Sequence, residues 1–441
     1  MIITIIGAGI SSISLALFLQ KNKKIKKIII LEKEKEIGGL LRSYKYSGIY
    51  TDVGPHIIFS RYREILSLLK KINLGKLHKL KRSNKILFKK KIFIKYPFEN
   101  ELSKLSNKDK NFCLKYFLNN KYSKIKPKNM YQFFLKTFGK GISNLYLNPY
   151  NKKIWKLHPR FLDTQMVERI PKPPSEDIIN SANGINTEGY KHQLYFYYPK
   201  QGGIQTVFNS FCKLLNKKKI QIIRSVNLKK ISRKNNRLEV NFSKNNFYTD
   251  ILINTSPLNE FFKYFDFIEK TQLKDISKRL KYNSIKIFNV LLKGDIGGKN
   301  FAIMIPDKDV IFHRLSKLNF LGKKYQKKNF SAFQIEVTFK KGDKIDQMSK
   351  KDIYEKIYDG LKKINFIKKK NICKIISYKT YKYAYVIYNL GHRKNVDYLL
   401  NNYKKKNIFN LGRWGSWEYL NSDQVIKQSY EFAKKFNSGL L

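Results

Sequence analysis

Met1-Ile2-Ile3-Thr4-Ile5-Ile6-Gly7-Ala8-Gly9-Ile10-Ser11-Ser12 opens the chain. Residues 1–6 form a short apolar run rich in β-branched side chains, which predicts a buried strand. The run breaks at Gly7 and gives way to a helical pattern through Ile13, Ala16, Leu17 and Leu19. Strand, glycine turn and helix make a phosphate-binding unit. Gly7 permits the tight turn, Gly9 lets the backbone approach a pyrophosphate, and the helix start directs free N–H groups at the anion. Ser12 stands at the third glycine position, where a small residue still allows close helix–strand packing. A second strand, Ile28-Ile29-Ile30-Leu31, ends in Glu32, placed to accept hydrogen bonds from a ribose.

Working outward, Gly38-Gly39-Leu40-Leu41-Arg42-Ser43 adds a second glycine pair soon after the acid. This resembles the extended fingerprint of FAD-binding enzymes of the amine oxidase and mutase type, so FAD is the expected dinucleotide. Gly54-Pro55-His56 then forms a glycine-bounded loop carrying a histidine. From Arg61 onward the patterns turn mainly helical, and an aromatic cluster lies at Tyr146, Tyr150 and Trp155. Helix and strand patterns from Tyr195 return to a buried strand at Ile251–Asn254. Alternating strand patterns between Ser284 and Tyr388 predict an antiparallel sheet covering a substrate site. Near the end, Gly412-Arg413 and a helix start at Asp423 complete the nucleotide domain begun at residue 1. The expected fold class is α/β, with a Rossmann-type FAD-binding domain (residues 1–60, 195–256 and 395–441). Interleaved with it are a mainly helical domain (61–194) and an antiparallel-sheet substrate domain (257–394).

Composition narrows the function further. The 441 residues suffice for several cores, and 90 Lys and Arg against 32 Asp and Glu give a formal charge of +58. Lysine is enriched together with isoleucine, asparagine, tyrosine and phenylalanine, and the lysines are dispersed. That pattern fits an AT-rich coding bias at permissive surface positions better than a nucleic-acid-binding patch, so no nucleic-acid partner is expected. Cys113, Cys212 and Cys373 are far apart with no CxxC spacing, which indicates neither a disulfide framework nor a metal site. No uncharged apolar run is long enough to span a bilayer, and no cleavable leader is recognised; the expected setting is cytoplasmic.

Several blocks in order extend the resemblance. They are Asp52 to Ser60, Tyr96-Pro97-Phe98-Glu99-Asn100, Asn148 to Trp155, Glu168-Arg169, Pro199 to Gly203 and Gly412 to Tyr419. Together with the FAD turn they resemble the UDP-galactopyranose mutases, especially the eukaryotic form, within the amine oxidase and protoporphyrinogen oxidase superfamily. The resemblance implies UDP-galactopyranose to UDP-galactofuranose interconversion for surface polysaccharide synthesis, with N5 of reduced FAD attacking the anomeric carbon. It implies a nucleotide-sugar substrate and NAD(P)H as reductant, and is compatible with a homo-oligomer. Arg169 and Arg314 become the diphosphate arginines, because a planar, permanently charged fork suits a departing diphosphate. Tyr419 and Asn421 stand beside them, Tyr96 and Tyr146 on the uridine side, and Asn151 as a further substrate contact. His56 matches the loop beside the flavin, and Arg413 and Asp423 match flavin contacts; with Gly7, Gly9, Ser12, Glu32, Gly39 and Leu40 these complete the cofactor set. The chain departs from the family at Glu99, where a glutamine is usual, at Ala302 and Met304, where aromatic residues are usual, and at Gln424, where a histidine is usual. The competing class is an FAD-dependent oxidoreductase of the amine oxidase, protoporphyrinogen oxidase or desaturase type.

Overall fold

The computed structural model describes residues 1–170, 173–188, 194–243 and 245–440, with Glu168, Arg169 and Asn371 described at the backbone only. The opening run forms β1 (Ile2–Ile6), followed by α1 (Ile10–Leu19) and β2 (Lys27–Leu31). β1 is central in a five-stranded sheet, flanked by β2 and by the strand Ile251–Asn254, with Ile220–Ile223 and Ile408–Asn410 at the edges. Every pairing in this sheet is parallel. Its central strands are nearly continuous apolar runs because helices and other layers cover both faces.

Small residues set how closely the layers approach. Ser11, Ser12 and Ser14 of α1 are buried, and the Ser429 hydroxyl of the C-terminal helix Ser422–Asn437 donates to the Ser11 carbonyl at 3.1 Å. A Cβ on Gly415 would stand 2.3 Å from the Asn254 carbonyl oxygen, so the chain's last turn can seat on the sheet only without a side chain there.

The second large layer is a seven-stranded sheet. Its order is Cys373–Ile387, Lys281–Lys293, Phe330–Phe339, Arg314–Lys317, Ala302–Met304, Asn84–Phe88 and Ile92–Lys95. It is antiparallel except where Ala302–Met304 meets Asn84–Phe88. Two strands from the segment 61–194 thus extend this sheet. The rest of that segment is mostly helical, including Asn107–Leu118, Met130–Ile142 and Asn148–Trp155, around an aromatic core containing Phe98, Phe134, Phe138 and Tyr146.

A buried hydrogen-bond hub joins the layers. The Asp52 carboxylate accepts from the Ser43 hydroxyl (2.6 Å), the Tyr198 hydroxyl (2.5 Å) and the Ile204 N–H (3.0 Å). Its main-chain carbonyl accepts from the Gln334 amide at 2.8 Å, reaching into the large sheet. Burial raises the Asp52 pKa to about 6 despite these donors. Removing one donor leaves a buried acceptor under-satisfied. Tyr198→Phe is therefore expected to cost about 1–3 kcal/mol in urea denaturation; a change below about 0.3 kcal/mol would show that the hub carries no load.

Candidate functional site

At the N-terminus of α1 the glycine turn has the form a pyrophosphate needs. Gly7 sits at φ +94°, and a Cβ there would lie 2.8 Å from the Thr255 hydroxyl. Gly9 precedes the helix with no side-chain cap on the first-turn N–H groups, and a Cβ at Gly9 would meet nothing within 4 Å. The second glycine pair closes on the first turn. Gly38 N–H donates to the Ala8 carbonyl at 2.9 Å, and a Cβ on Gly39 would come within 3.4 Å of the Gly9 Cα. Glu32 is buried and accepts one backbone N–H on each oxygen, from Ala8 at 2.8 Å and Glu34 at 2.9 Å, keeping lone pairs for ribose hydroxyls. Ser12 turns its hydroxyl to Thr255 at 2.9 Å, which places it in helix–strand packing rather than on the open side of the turn. These residues fit a dinucleotide pyrophosphate and ribose.

A cleft of about 680 Å³ lies between the nucleotide domain and the large sheet. It gathers Leu40, His56, Tyr96, Arg314, Arg413, Tyr419, Asn421 and Asp423, residues that the sequence scatters over nearly four hundred positions. Asn421 and Gln424 form a reciprocal capping box at the start of Ser422–Asn437, so this helix presents its N-terminal end at the cleft with Asp423 in its first turn. The Arg413 Nε donates to the Leu420 carbonyl at 2.8 Å, and its guanidinium lies 5.0 Å from the Tyr419 ring centroid.

Arg314 is held more firmly than any sequence signal indicates. Its Nε and Nη2 donate to the two oxygens of Glu336, each at 2.7 Å, and the Tyr385 hydroxyl donates to the same carboxylate at 3.1 Å. Glu336 is 1% exposed. Burial opposes the guanidinium charge, but the adjoining carboxylate outweighs it and keeps Arg314 protonated well above its ordinary range. Arg61 and Arg82 also line the cleft. Sequence reading missed both, along with Glu336 and Tyr385. The available signal was Glu336, the single charged residue inside the strand Phe330–Phe339.

His56 behaves differently. Burial, with the Arg413 charge next, lowers its pKa to about 4, so the ring is neutral at neutral pH. Its Nδ1 lies 3.2 Å from the Gly54 carbonyl, which requires the proton on Nδ1 and leaves Nε2 as an acceptor.

Tyr146 and Asn151 do not reach the cleft wall. Tyr146 is 2% exposed within a stack, its ring 5.1 Å from Phe98 and 5.2 Å from Tyr150. The Asn151 amide donates to the Leu147 carbonyl at 2.8 Å and accepts from the Trp155 indole at 2.9 Å. Glu99 is buried nearby, and burial pushes its carboxyl up to about 7. Arg169 closes the turn Thr164–Arg169, and its side chain lies outside the described residues; its neighbour Ile170 lines the cleft. Ala302 and Met304 line it too. Among the described residues no group of His, Cys, Asp and Glu side chains is arranged to hold a metal, and no helix is long and apolar enough to cross a membrane.

Residues 5–72 match the NAD(P)-binding Rossmann-like domain family. The whole chain then superposes on reduced UDP-galactopyranose mutase with a TM-score of 0.88 at 22% identity, covering 100% of this chain and 96% of that one. A proposed protoporphyrinogen oxidase from Exiguobacterium sp. 255-15 gives 0.77 at 13% identity, covering 99% of each chain. Putrescine oxidase bound to putrescine gives 0.66 at 12%, covering 99% and 98%. The protein has the fold of UDP-galactopyranose mutase, within a wider set that includes these oxidases.

The state of His56 is open to direct measurement. In a ¹⁵N-resolved NMR titration its imidazole is expected to stay neutral down to about pH 5 and titrate near 4. A midpoint near 6.5 would contradict the burial and the charge environment described.

Proposed function

We propose that the protein is a flavin-dependent nucleotide-sugar mutase interconverting UDP-galactopyranose and UDP-galactofuranose, for surface polysaccharide synthesis. The observation that carries this reading is the cleft's chemistry: Arg61, Arg82, Arg314 and Arg413 line a single cavity that also meets the loops of the glycine-turn domain. A diphosphate needs such a wall. A cationic amine, the substrate type of an amine oxidase, would be repelled by it.

Gly7, Gly9, Gly39 and Glu32 would hold FAD through its pyrophosphate and ribose, and NAD(P)H is the expected reductant. Reduced FAD, when bound, supplies a nucleophilic nitrogen to the sugar's anomeric carbon. The protein's own residues do the rest. As the anomeric C–O bond to the β-phosphate breaks, the electron pair leaves with the diphosphate, and Arg314 offers it the N–H groups that Glu336 does not use. Arg169, on the turn beside Ile170, is the second diphosphate arginine in this reading. Arg61, Arg82 and Arg413 add positive potential, which is worth more in a partly water-excluded cleft than in bulk solvent. Neutral His56 adds no competing charge and keeps one acceptor nitrogen. Tyr96, Tyr419 and Asn421 supply polar edges to orient the sugar nucleotide. The same diphosphate returns to the reclosed sugar ring, so the protein must hold it without expelling or trapping it.

Purified protein is expected to carry FAD and, after dithionite reduction, to interconvert the two UDP-galactose ring forms. Turnover only with an external electron acceptor would replace the mutase reading with the oxidoreductase one. Arg314→Ala is expected to retain FAD while lowering kcat by about tenfold to a hundredfold, the effect of losing a charge-assisted contact. Arg169→Ala is expected to act in the same direction. Unchanged kinetics in both variants would remove them from the site.

A further inference from the structure

Arg314 and Glu336 stand directly opposite each other on adjacent antiparallel strands, so both side chains leave the same face of the sheet at one register position. The carboxylate lies beneath at 1% exposure, whereas the arginine side chain is 28% exposed and lines the cleft. The side edge of the guanidinium, Nε and Nη2, is fully engaged by the two carboxylate oxygens. What remains for a ligand is the end edge, formed by Nη1 and the outer N–H of Nη2.

We propose that Glu336 is the positioning residue of the cleft, fixing which edge of Arg314 meets the anion. The inference rests on the diphosphate reading given above. Three further contacts define the device. Tyr385 donates to Oε2 of Glu336 from the strand Cys373–Ile387, which lies on the far side of Lys281–Lys293. His313 Nε2 lies 3.8 Å from the same oxygen, beyond hydrogen-bond distance, and burial together with the Arg314 charge keeps that imidazole neutral. Arg314 is therefore the cation that balances Glu336 at this position. Gln334, two residues earlier on the same face of the strand, is tied to the Asp52 carbonyl, which fixes the strand relative to the nucleotide domain.

A carboxylate beside an anion site is an electrostatic burden, and this makes the role separable by sign. If Glu336 acted only through its charge, removing that charge would tighten diphosphate binding. If it positions Arg314, the isosteric Glu336→Gln turns an amide N–H₂ toward a guanidinium N–H, the two donors repel, and the fork leaves its seat.

The test is UDP binding to the FAD-loaded protein by titration calorimetry, in wild type, Glu336→Gln, Arg314→Ala and the double variant, with FAD content and melting temperature measured alongside. Glu336→Gln is expected to bind UDP about tenfold more weakly than wild type. In the Arg314→Ala background the same change is expected to weaken binding no further, because there is no fork left to orient. Equal or tighter UDP binding in Glu336→Gln overturns the positioning role, as does the same loss in both backgrounds. A wild-type protein that binds no UDP overturns the diphosphate reading itself. Should Glu336→Gln fail to retain FAD, the comparison passes to Glu336→Asp, whose retracted carboxylate keeps the charge but not the two-point contact; unchanged UDP affinity in that variant also overturns the proposal.

Discussion

The Asp52 carboxylate ties the strand pair of residues 43–52, the strand Tyr195–Pro199 and the helix start at Ile204 together, and its carbonyl links them to the seven-stranded sheet. One of its oxygens gathers Ser43 and Ile204, the other takes the Tyr198 hydroxyl, and its carbonyl takes the amide of Gln334. A Cβ at Gly203 would lie 2.6 Å from the Asp52 carboxylate and 2.3 Å from the Ser43 hydroxyl, so the hub admits only glycine beside it. Gln334 shares a strand and a face with Glu336, and Glu336 grips Arg314. The strand that Asp52 holds through Gln334 thus also carries the carboxylate paired with Arg314. The low-dielectric interior makes displacing any donor from the Asp52 carboxylate costly.

The cleft inherits its chemistry from that arrangement. The nucleotide domain contributes Leu40, the neutral His56 and the capped start of the C-terminal helix; the large sheet contributes Arg314, Glu336 and Tyr385. Four arginines are offset locally by the buried Glu336 and by Asp423. In the proposed mutase reaction, which releases a diphosphate and takes it back, such partial compensation would keep the leaving group from binding too tightly to return.

Much of the nucleotide domain was legible in the sequence because its constraints are local. The turn at Gly7 demands a positive φ, the approach of Gly39 to Gly9 excludes a side chain, and Glu32 follows its strand directly. The cleft was legible only in pieces. Arg314 was indicated by resemblance, but its partner sits 22 residues away on the next strand, a pairing set by register that no spacing rule reveals. Tyr146 and Asn151 show the reverse case. Asn151 finds both partners one helical turn away, at Leu147 and Trp155, and Tyr146 finds two aromatic neighbours, so local packing takes up the side chains that family likeness assigns to substrate. Arg61 and Arg82 carried no signal in the sequence, because only the tertiary fold turns them toward one cavity.

In the proposed arrangement the cleft holds a nucleoside diphosphate on the end edge of Arg314 while Glu336 holds its side edge. A crystal structure of the FAD-loaded protein with UDP tests it most directly. Phosphate oxygens are expected within about 3 Å of Nη1 and Nη2 of Arg314, with both Glu336 contacts intact. A diphosphate bound away from Arg314, or an Arg314 that leaves Glu336 to reach it, would contradict that arrangement.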